Sequence, residues 1–150
     1  MPKVLIEKEM QKRDLFKDEI ERLGKALANL LSEIVQLKSG ENNIAQINNY
    51  NKRLQQQLNI SVDELISLTK PELLSYLKNK NFNANHIDSL AKILVEQSHI
   101  LIHNKELLQA KSRLNKAIEL LEITDEISNT LSFERIALKN NIIRKITTLQ

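Results

Sequence analysis

The sequence contains no cysteine, and this absence excludes several kinds of chemistry. A chain without thiols forms no disulfide, has no thiolate nucleophile and cannot build a zinc site on sulfur ligands. Glycine and proline are also scarce, with two of each among 150 residues. Because these residues interrupt regular structure, their scarcity favours long helices.

Long apolar runs are missing as well. Near the N-terminus the apolar run Val4-Leu5-Ile6 is followed at once by charged residues, so it is too short for the core of a signal peptide. No other stretch approaches the ~20 consecutive apolar residues that a membrane span needs. Together with the lack of cysteine, these absences predict a cytoplasmic protein.

Charge of one sign is not in large excess. The formal net charge is +3, which permits weak attraction to nucleic acid or anionic lipid without demanding it. Apolar residues make up 41% of the chain and aromatic residues only 3%. A chain of this length and apolar content can bury a core, so we expect residues 1–150 to form a single domain.

The clearest element is a long N-terminal helix, predicted over residues 1–39 and best defined from Asp14 to Lys38. Its apolar residues recur at steps of four and three, which is a heptad pattern. Burial of this seam within the chain is favoured narrowly, and pairing of two chains in a homodimer is the alternative. Ser39-Gly40 is expected to end the helix. The seam positions are Phe16, Ile20, Leu23, Leu27, Leu30, Ile34 and Leu37, with Leu31 and Val35 widening the stripe.

Residues 41–82 are predicted to form a polar helix followed by two short capped helices. Half of the segment from Glu41 to Ile60 is Asn or Gln, so a flexible connector remains the alternative to a helix there. Ser61 and Thr69 each precede a glutamate by three residues, the spacing of a capping box. Pro71 falls in the first turn of the second short helix, where its missing N–H costs nothing.

A helical hairpin is predicted over residues 84–124, with a short turn near residues 103–105. Its second helix carries Ala110 and Ala117 seven residues apart, with Leu114 between them. Small residues on one face allow another helix to approach closely, which predicts a tightly packed pair. A last helix is predicted over residues 125–149. No alternation of period two is present, so the fold class is predicted to be all-α.

The hairpin resembles one tetratricopeptide repeat (TPR), a helix–turn–helix unit of about 34 residues. The resemblance covers residues 91–124 and departs from the consensus in two places, with Ser98 where glycine is usual and Glu122 where proline is usual. It implies a helical bundle or short right-handed solenoid with one degenerate repeat, and a protein-binding role. The matching positions are Leu94, Ser98, Leu101, Ala110, Leu114 and Ala117.

The order of the segments also resembles a group of small, uncharacterised bacterial proteins. Those proteins begin with a helix like "RDLFKDEIERLGKALANLL", continue through capped turns like "VDELISLTKPELLSYL" and end in a TPR-like hairpin. This resemblance implies a fold, and no catalytic residue or cofactor. The residues that match its first part are Asp14, Ile20, Glu21, Leu23, Leu27, Leu30 and Leu31.

Few residues in the sequence suggest catalysis. His99 and His103 lie one helical turn apart and could share a metal, but two surface histidines near a helix end are the favoured interpretation. The carboxylate pairs Asp18-Glu19 and Asp125-Glu126 are interpreted as exposed helix positions. No phosphate-binding glycine loop or nucleophile motif is present. We therefore predict a protein that is not an enzyme, with no catalytic, cofactor-binding or metal-binding residue.

The end of the chain is basic, since Arg135, Lys139, Arg144 and Lys145 follow the last acidic residue, Glu134. Favourable placement of cations at a helix C-terminus explains this better than phosphate binding does. The favoured function is a non-enzymatic interaction module, or small scaffold or adaptor, for a protein or peptide partner. The alternative is a nucleic-acid-associated accessory protein that uses this basic helix.

Overall fold

The computed structural model describes residues 2–37 and 44–149, with side chains from residue 11 onward. Within these ranges all regular secondary structure is helical and no strand is present, so the prediction of an all-α fold is confirmed. Within them, no helix combines the length and apolar character needed to cross a membrane. The helices are α1 (Pro2–Leu37), α2 (Ile44–Leu58), α3 (Val62–Ser67), α4 (Lys70–Asn79), α5 (Ala84–His103), α6 (Leu107–Ser128) and α7 (Phe133–Thr148).

The helices α5 and α6 form the most extensive helix pair and the centre of the core. Ala110, Leu114 and Ala117 on α6 are completely buried, as their spacing predicted. Leu94 and Leu101 on α5 are also buried. The apolar face of α6 therefore packs within the chain, and methyl groups replace larger side chains where the two helices meet.

The heptad seam of α1 is buried within the chain over its second half. Leu27, Leu30 and Ile34 are at most 1% exposed, and α1 packs on α5 and α2. The first half differs, because residues 11–19 are exposed and Phe16 retains 46% of its surface. Val35 is also exposed, so it does not widen the buried stripe as predicted. The cap expected at Ser39-Gly40 lies outside the described residues.

The two short helices begin with N-caps at the predicted residues, and Asn83 caps α5. The Thr69 hydroxyl accepts a hydrogen bond from the Glu72 N–H, and the Glu72 carboxylate accepts one from the Thr69 N–H, which completes the capping box. At the start of α3 the Ser61 hydroxyl accepts from the Glu64 N–H, but the Glu64 carboxylate does not return the bond, so only this half of the predicted capping box forms. Each cap satisfies backbone donors that the first helical turn leaves free.

The prediction that the last helix begins near residue 125 is wrong. Helix α6 continues to Ser128, and α7 begins at Phe133 after a cap by Ser132. Thr124 is buried inside α6 and its hydroxyl donates to the Leu120 carbonyl, so it does not start a helix. The chain turns instead at Asn129, whose left-handed backbone (φ 53°) ends α6.

The start of α5 is fixed to α1 through His86. Its Nδ1 accepts from the Asn83 N–H at 3.1 Å, and its Nε2 lies 3.1 Å from the Ile20 carbonyl oxygen. Both contacts are satisfied by the neutral imidazole that carries its proton on Nε2. A protonated ring would direct a second N–H at the Asn83 donor, so the neutral form fits this site.

The buried His86 predicts a stability that decreases in mild acid. Burial lowers the pKa of His86, and the hydrogen bond to the Ile20 carbonyl offsets this only in part. The unfolded chain, with a pKa of about 6.5, then binds the proton more readily. The contribution of His86 is complete above about pH 6.5 and is lost as the pH falls through the lower, folded-state pKa.

Urea unfolding of the parent and His86→Gln between about pH 7.5 and pH 5 measures this effect. The variant should lose part of the pH dependence, whereas His103→Gln, at an exposed histidine, should retain all of it. An unchanged pH dependence in His86→Gln would assign the effect to other groups.

Gly24 is expected to accept a side chain. A Cβ at this position would lie 3.5 Å from His86 Nε2, which is an ordinary van der Waals distance. Because glycine is a poor helix former, Gly24→Ala should raise the free energy of unfolding by about 0.5–1 kcal/mol. Thermal and urea unfolding measure this gain. A destabilised variant would mean that His86 cannot adjust to the added methyl group.

Candidate binding cleft

A polar cleft of about 470 Å³ lies where α2, the start of α3 and the first half of α6 meet. Its volume falls within the range of about 300–1,000 Å³ that is typical of ligand sites. Val62 is the one apolar residue among the described residues that line it. The lining residues are Asn48, Asn51, Lys52, Gln55, Ser61, Val62, Asp63, Gln109 and Arg113.

One wall of the cleft is held by a buried lysine on α6. Lys116 is 6% exposed, and its Nζ donates to the Leu68 carbonyl oxygen at 2.6 Å. The Glu119 carboxylate, 2.5 Å from the same ammonium, balances the charge. This contact fixes the end of α3 on α6, and α3 in turn carries the Val62 and Asp63 side of the cleft.

A hydrogen-bonded chain that joins three helices positions two residues of the cleft lining. Gln97 of α5 is completely buried, and its Nε2 donates to Asn51 Oδ1 of α2 at 2.7 Å. Its Oε1 accepts from Arg113 Nε of α6 at 2.8 Å. The two polar ends of one glutamine therefore set the positions of Asn51 and Arg113 relative to each other.

Arg113 is 6% exposed and lines the cleft. Its Nη1 donates to the Gln109 carbonyl oxygen at 3.4 Å, one helical turn earlier. Burial lowers the pKa of Arg113, and the negative charge of Asp63 offsets this in part. None of the ion pairs in the described part of the chain includes Arg113. The guanidinium is therefore a buried cation with neutral hydrogen-bond partners.

None of the cleft residues was predicted as a functional residue from the sequence, although one signal was present. Leu94, Gln97 and Leu101 are spaced at three and four residues, so they share one face of α5. A glutamine on an otherwise apolar stripe indicates a buried polar contact. The sequence gives no indication of the partners Asn51 and Arg113, because these lie on helices far away in the chain.

The two histidines of the predicted pair lie in different surroundings. His103 is exposed at the end of α5, whereas the Nε2 atom of half-buried His99 contacts Lys145 Nζ of α7. The His99 Nδ1 atom lies 3.5 Å from Glu96 Oε2. Among the described side chains, no group of three or more His, Asp or Glu residues is placed to hold a metal ion.

The basic residues at the end of the chain are largely occupied by contacts within the fold. Arg135 Nε donates to Asp125 Oδ1 at 2.7 Å, and Lys139 Nζ lies 3.5 Å from the other carboxylate oxygen. Asp88 of α5 lies 3.4 Å from Arg135 Nη1. The prediction that Asp125 is an exposed residue at a helix start is therefore wrong. Asp125 is a half-buried carboxylate that holds α7 on α6.

The pKa of the Arg135 guanidinium is raised, chiefly by its hydrogen bond to Asp125. Arg144 contacts Asn141 on the exposed side of the same helix. The cations of α7 thus serve mainly to dock this helix, because two of them face carboxylates of neighbouring helices.

Comparison with known proteins yields no relative, since no family model, curated protein or solved structure was found to match this chain. Any functional interpretation therefore depends on the cleft and its residues.

Proposed function

We propose that this chain is a non-enzymatic interaction module, acting as a small scaffold or adaptor, that holds an extended peptide segment in the cleft. The observation that supports this is the cleft itself, which is about 470 Å³ in volume and lined almost wholly by hydrogen-bonding side chains. A peptide backbone presents an N–H donor and a carbonyl acceptor at nearly every residue. Such a lining matches a peptide better than it matches an apolar ligand.

The amide side chains of the lining can pair with both the donors and the acceptors of a peptide backbone. Asn48 and Gln109 each offer both a donor and an acceptor at the cleft, and Gln55 offers its amide oxygen while its Nε2 donates to Asn59 Oδ1. Asn51 is held in place by Gln97, so its position is set before a ligand arrives. Preorganised contacts lower the entropy lost on binding. The hydroxyl of Ser61 is engaged as the cap of α3, which supports binding rather than nucleophilic chemistry.

The finer architecture is part of the proposal. We take α5 and α6 to be a TPR-like hairpin, supported by the buried small residues Ala110 and Ala117. Ser98, at the position where glycine is usual, is buried and donates to the Val95 carbonyl at 2.5 Å, so its hydroxyl is accommodated within α5. Grooves beside stacked helical hairpins commonly receive peptides.

The alternative, a nucleic-acid-associated protein using α7, has weaker support because Arg135 and Lys139 face Asp125. A homodimer through the α1 heptad seam is also less favoured, since Leu27, Leu30 and Ile34 are buried within the chain.

Selection of random peptides displayed on phage tests the proposal. Peptides enriched on the parent protein are then measured by fluorescence anisotropy against two variants on adjacent residues of α2. Asn48→Trp places a large ring in the cleft, whereas Asn49→Trp places the same ring on a neighbouring exposed residue outside it.

Binding should fall by about tenfold or more in Asn48→Trp and stay near the parent value in Asn49→Trp. Peptide binding in the cleft would be contradicted if the selection enriched no peptide. It would also be contradicted if the enriched peptides bound both variants as tightly as the parent protein.

A further inference from the structure

We propose, on the basis of the peptide-binding function above, that the cleft recognises a single carboxylate of the peptide through the guanidinium of Arg113. The geometry that carries this is a buried arginine that lines the cleft and whose hydrogen-bond partners within the fold are all neutral.

A guanidinium has five N–H donors. In Arg113, Nε donates to Gln97 and Nη1 donates to the Gln109 carbonyl, while Nη2 donates to no described residue. A cation removed from water is costly unless an anion and further acceptors compensate for the lost hydration. A ligand carboxylate in the cleft would supply both, because its two oxygens match the fork of guanidinium donors.

Gln97 keeps the guanidinium oriented for this contact. Its buried amide fixes Nε from the side of α5, and its other end is fixed on Asn51. The guanidinium plane is therefore set before a ligand binds. This arrangement favours arginine over lysine at the position, since a lysine ammonium has no planar fork.

The charge of the cleft favours one carboxylate over a more highly charged anion. Arg113 and Lys52 contribute two positive charges to the lining, and Asp63 contributes one negative charge. The lining therefore has one uncompensated positive charge. A carboxylate balances it, whereas a phosphate group with nearly two negative charges would leave the cleft with an excess negative charge.

The carboxylate can come from an aspartate or glutamate side chain or from a peptide C-terminus, and NMR titration distinguishes the two sources. The probes are three N-acetylated dipeptides. Two of them have an amidated C-terminus and differ only in their last residue, which is glutamate or glutamine. The third is dialanine with a free C-terminal carboxylate. The Arg113 Nε–H signal of the full, isotope-labelled chain reports directly on the guanidinium.

At least one carboxylate dipeptide should shift this signal saturably and bind about tenfold or more tightly than the glutamine dipeptide. A response to the glutamate dipeptide alone assigns the source to a side chain, and a response to dialanine alone assigns it to the C-terminus. Equal binding of the glutamine dipeptide, or no saturable shift with either carboxylate, overturns the inference. Phage-selected peptides that are sensitive to Asn48→Trp would then still support peptide binding.

Gln97→Glu provides a second test that keeps the size of the side chain. It places a carboxylate next to Arg113 Nε, where Gln97 Oε1 now lies at 2.8 Å, and Asn51 can reorient its amide to donate to the new oxygen. The internal carboxylate should compete with the ligand and weaken carboxylate binding by about tenfold or more.

Gln56→Glu is the matched control, because it adds the same charge at an exposed position of α2 that does not line the cleft. It should leave binding close to the parent. If Gln97→Glu binds the carboxylate dipeptides as tightly as Gln56→Glu does, Arg113 is not their receptor and the proposal is wrong.

Discussion

Leu114→Ala is expected to lower the free energy of unfolding by about 2–5 kcal/mol. Leu114 is completely buried on α6, between the buried Ala110 and Ala117. Truncation removes the transfer free energy of the lost carbons and leaves a cavity. Small neighbours have little side chain that could move into this cavity, so the cost should lie toward the upper part of the range. Urea denaturation followed by circular dichroism measures the change.

Leu108→Ala on the same helix is the control for this substitution. Leu108 is 84% exposed, so the same truncation there should change the free energy of unfolding by less than about 0.5 kcal/mol. Similar losses in both variants would show that burial of Leu114 does not determine the cost, since alanine is at least as good a helix former as leucine. A large loss in Leu114→Ala alone would support the position of α6 in the core.

Ala117→Leu is expected to destabilise the protein by about 1–3 kcal/mol for the opposite reason. Ala117 is completely buried in the helix pair that contributes most to the core. A leucine adds three carbon atoms where α5 and α6 are in contact, so one helix must shift or the new side chain must adopt a strained rotamer. Thermal and urea unfolding should both detect the loss.

Ala137→Leu tests the same change at an exposed alanine of α7. Because leucine and alanine are both good helix formers, this variant should unfold close to the parent. If Ala117→Leu unfolds like Ala137→Leu, the interface between α5 and α6 has room for a leucine and is not closely packed.

The helical elements could be predicted because their signals are local. The heptad spacing of Leu27, Leu30 and Ile34 and the paired alanines of α6 depend only on the geometry of a single helix. The caps at Ser61 and Thr69 depend on residues three positions apart, and each of these side chains accepts from the expected backbone N–H. Such local patterns therefore do not depend on how the helix packs in the fold.

The start of the last helix was predicted incorrectly because a local pattern was overruled by packing. Thr124 followed by two carboxylates looks like the beginning of a helix. Burial of Ile123 and Thr124 instead keeps α6 continuous to Ser128. The carboxylate of Asp125 then serves Arg135 and Lys139, a use that depends on the position of α7 and is not visible in the spacing.

The candidate cleft was the feature that could least be predicted from the sequence. Asn51, Gln97 and Arg113 come from three helices, and their hydrogen bonds join residues 46 and 16 positions apart in the chain. Gln97 alone carries a local signal of burial, and that signal does not identify its partners. Their shared role depends on how the helices cross.

The sequence by itself determined that the described chain is helical, which faces of the helices are apolar and where the short helices α3 and α4 begin. These properties follow from residues within two turns of one another, which any helix brings together. Only the tertiary structure decided where α6 ends, which charges pair and that a buried arginine lines a polar cleft. Those outcomes depend on contacts between distant segments, because burial and charge are set by what packs against each face rather than by the face itself.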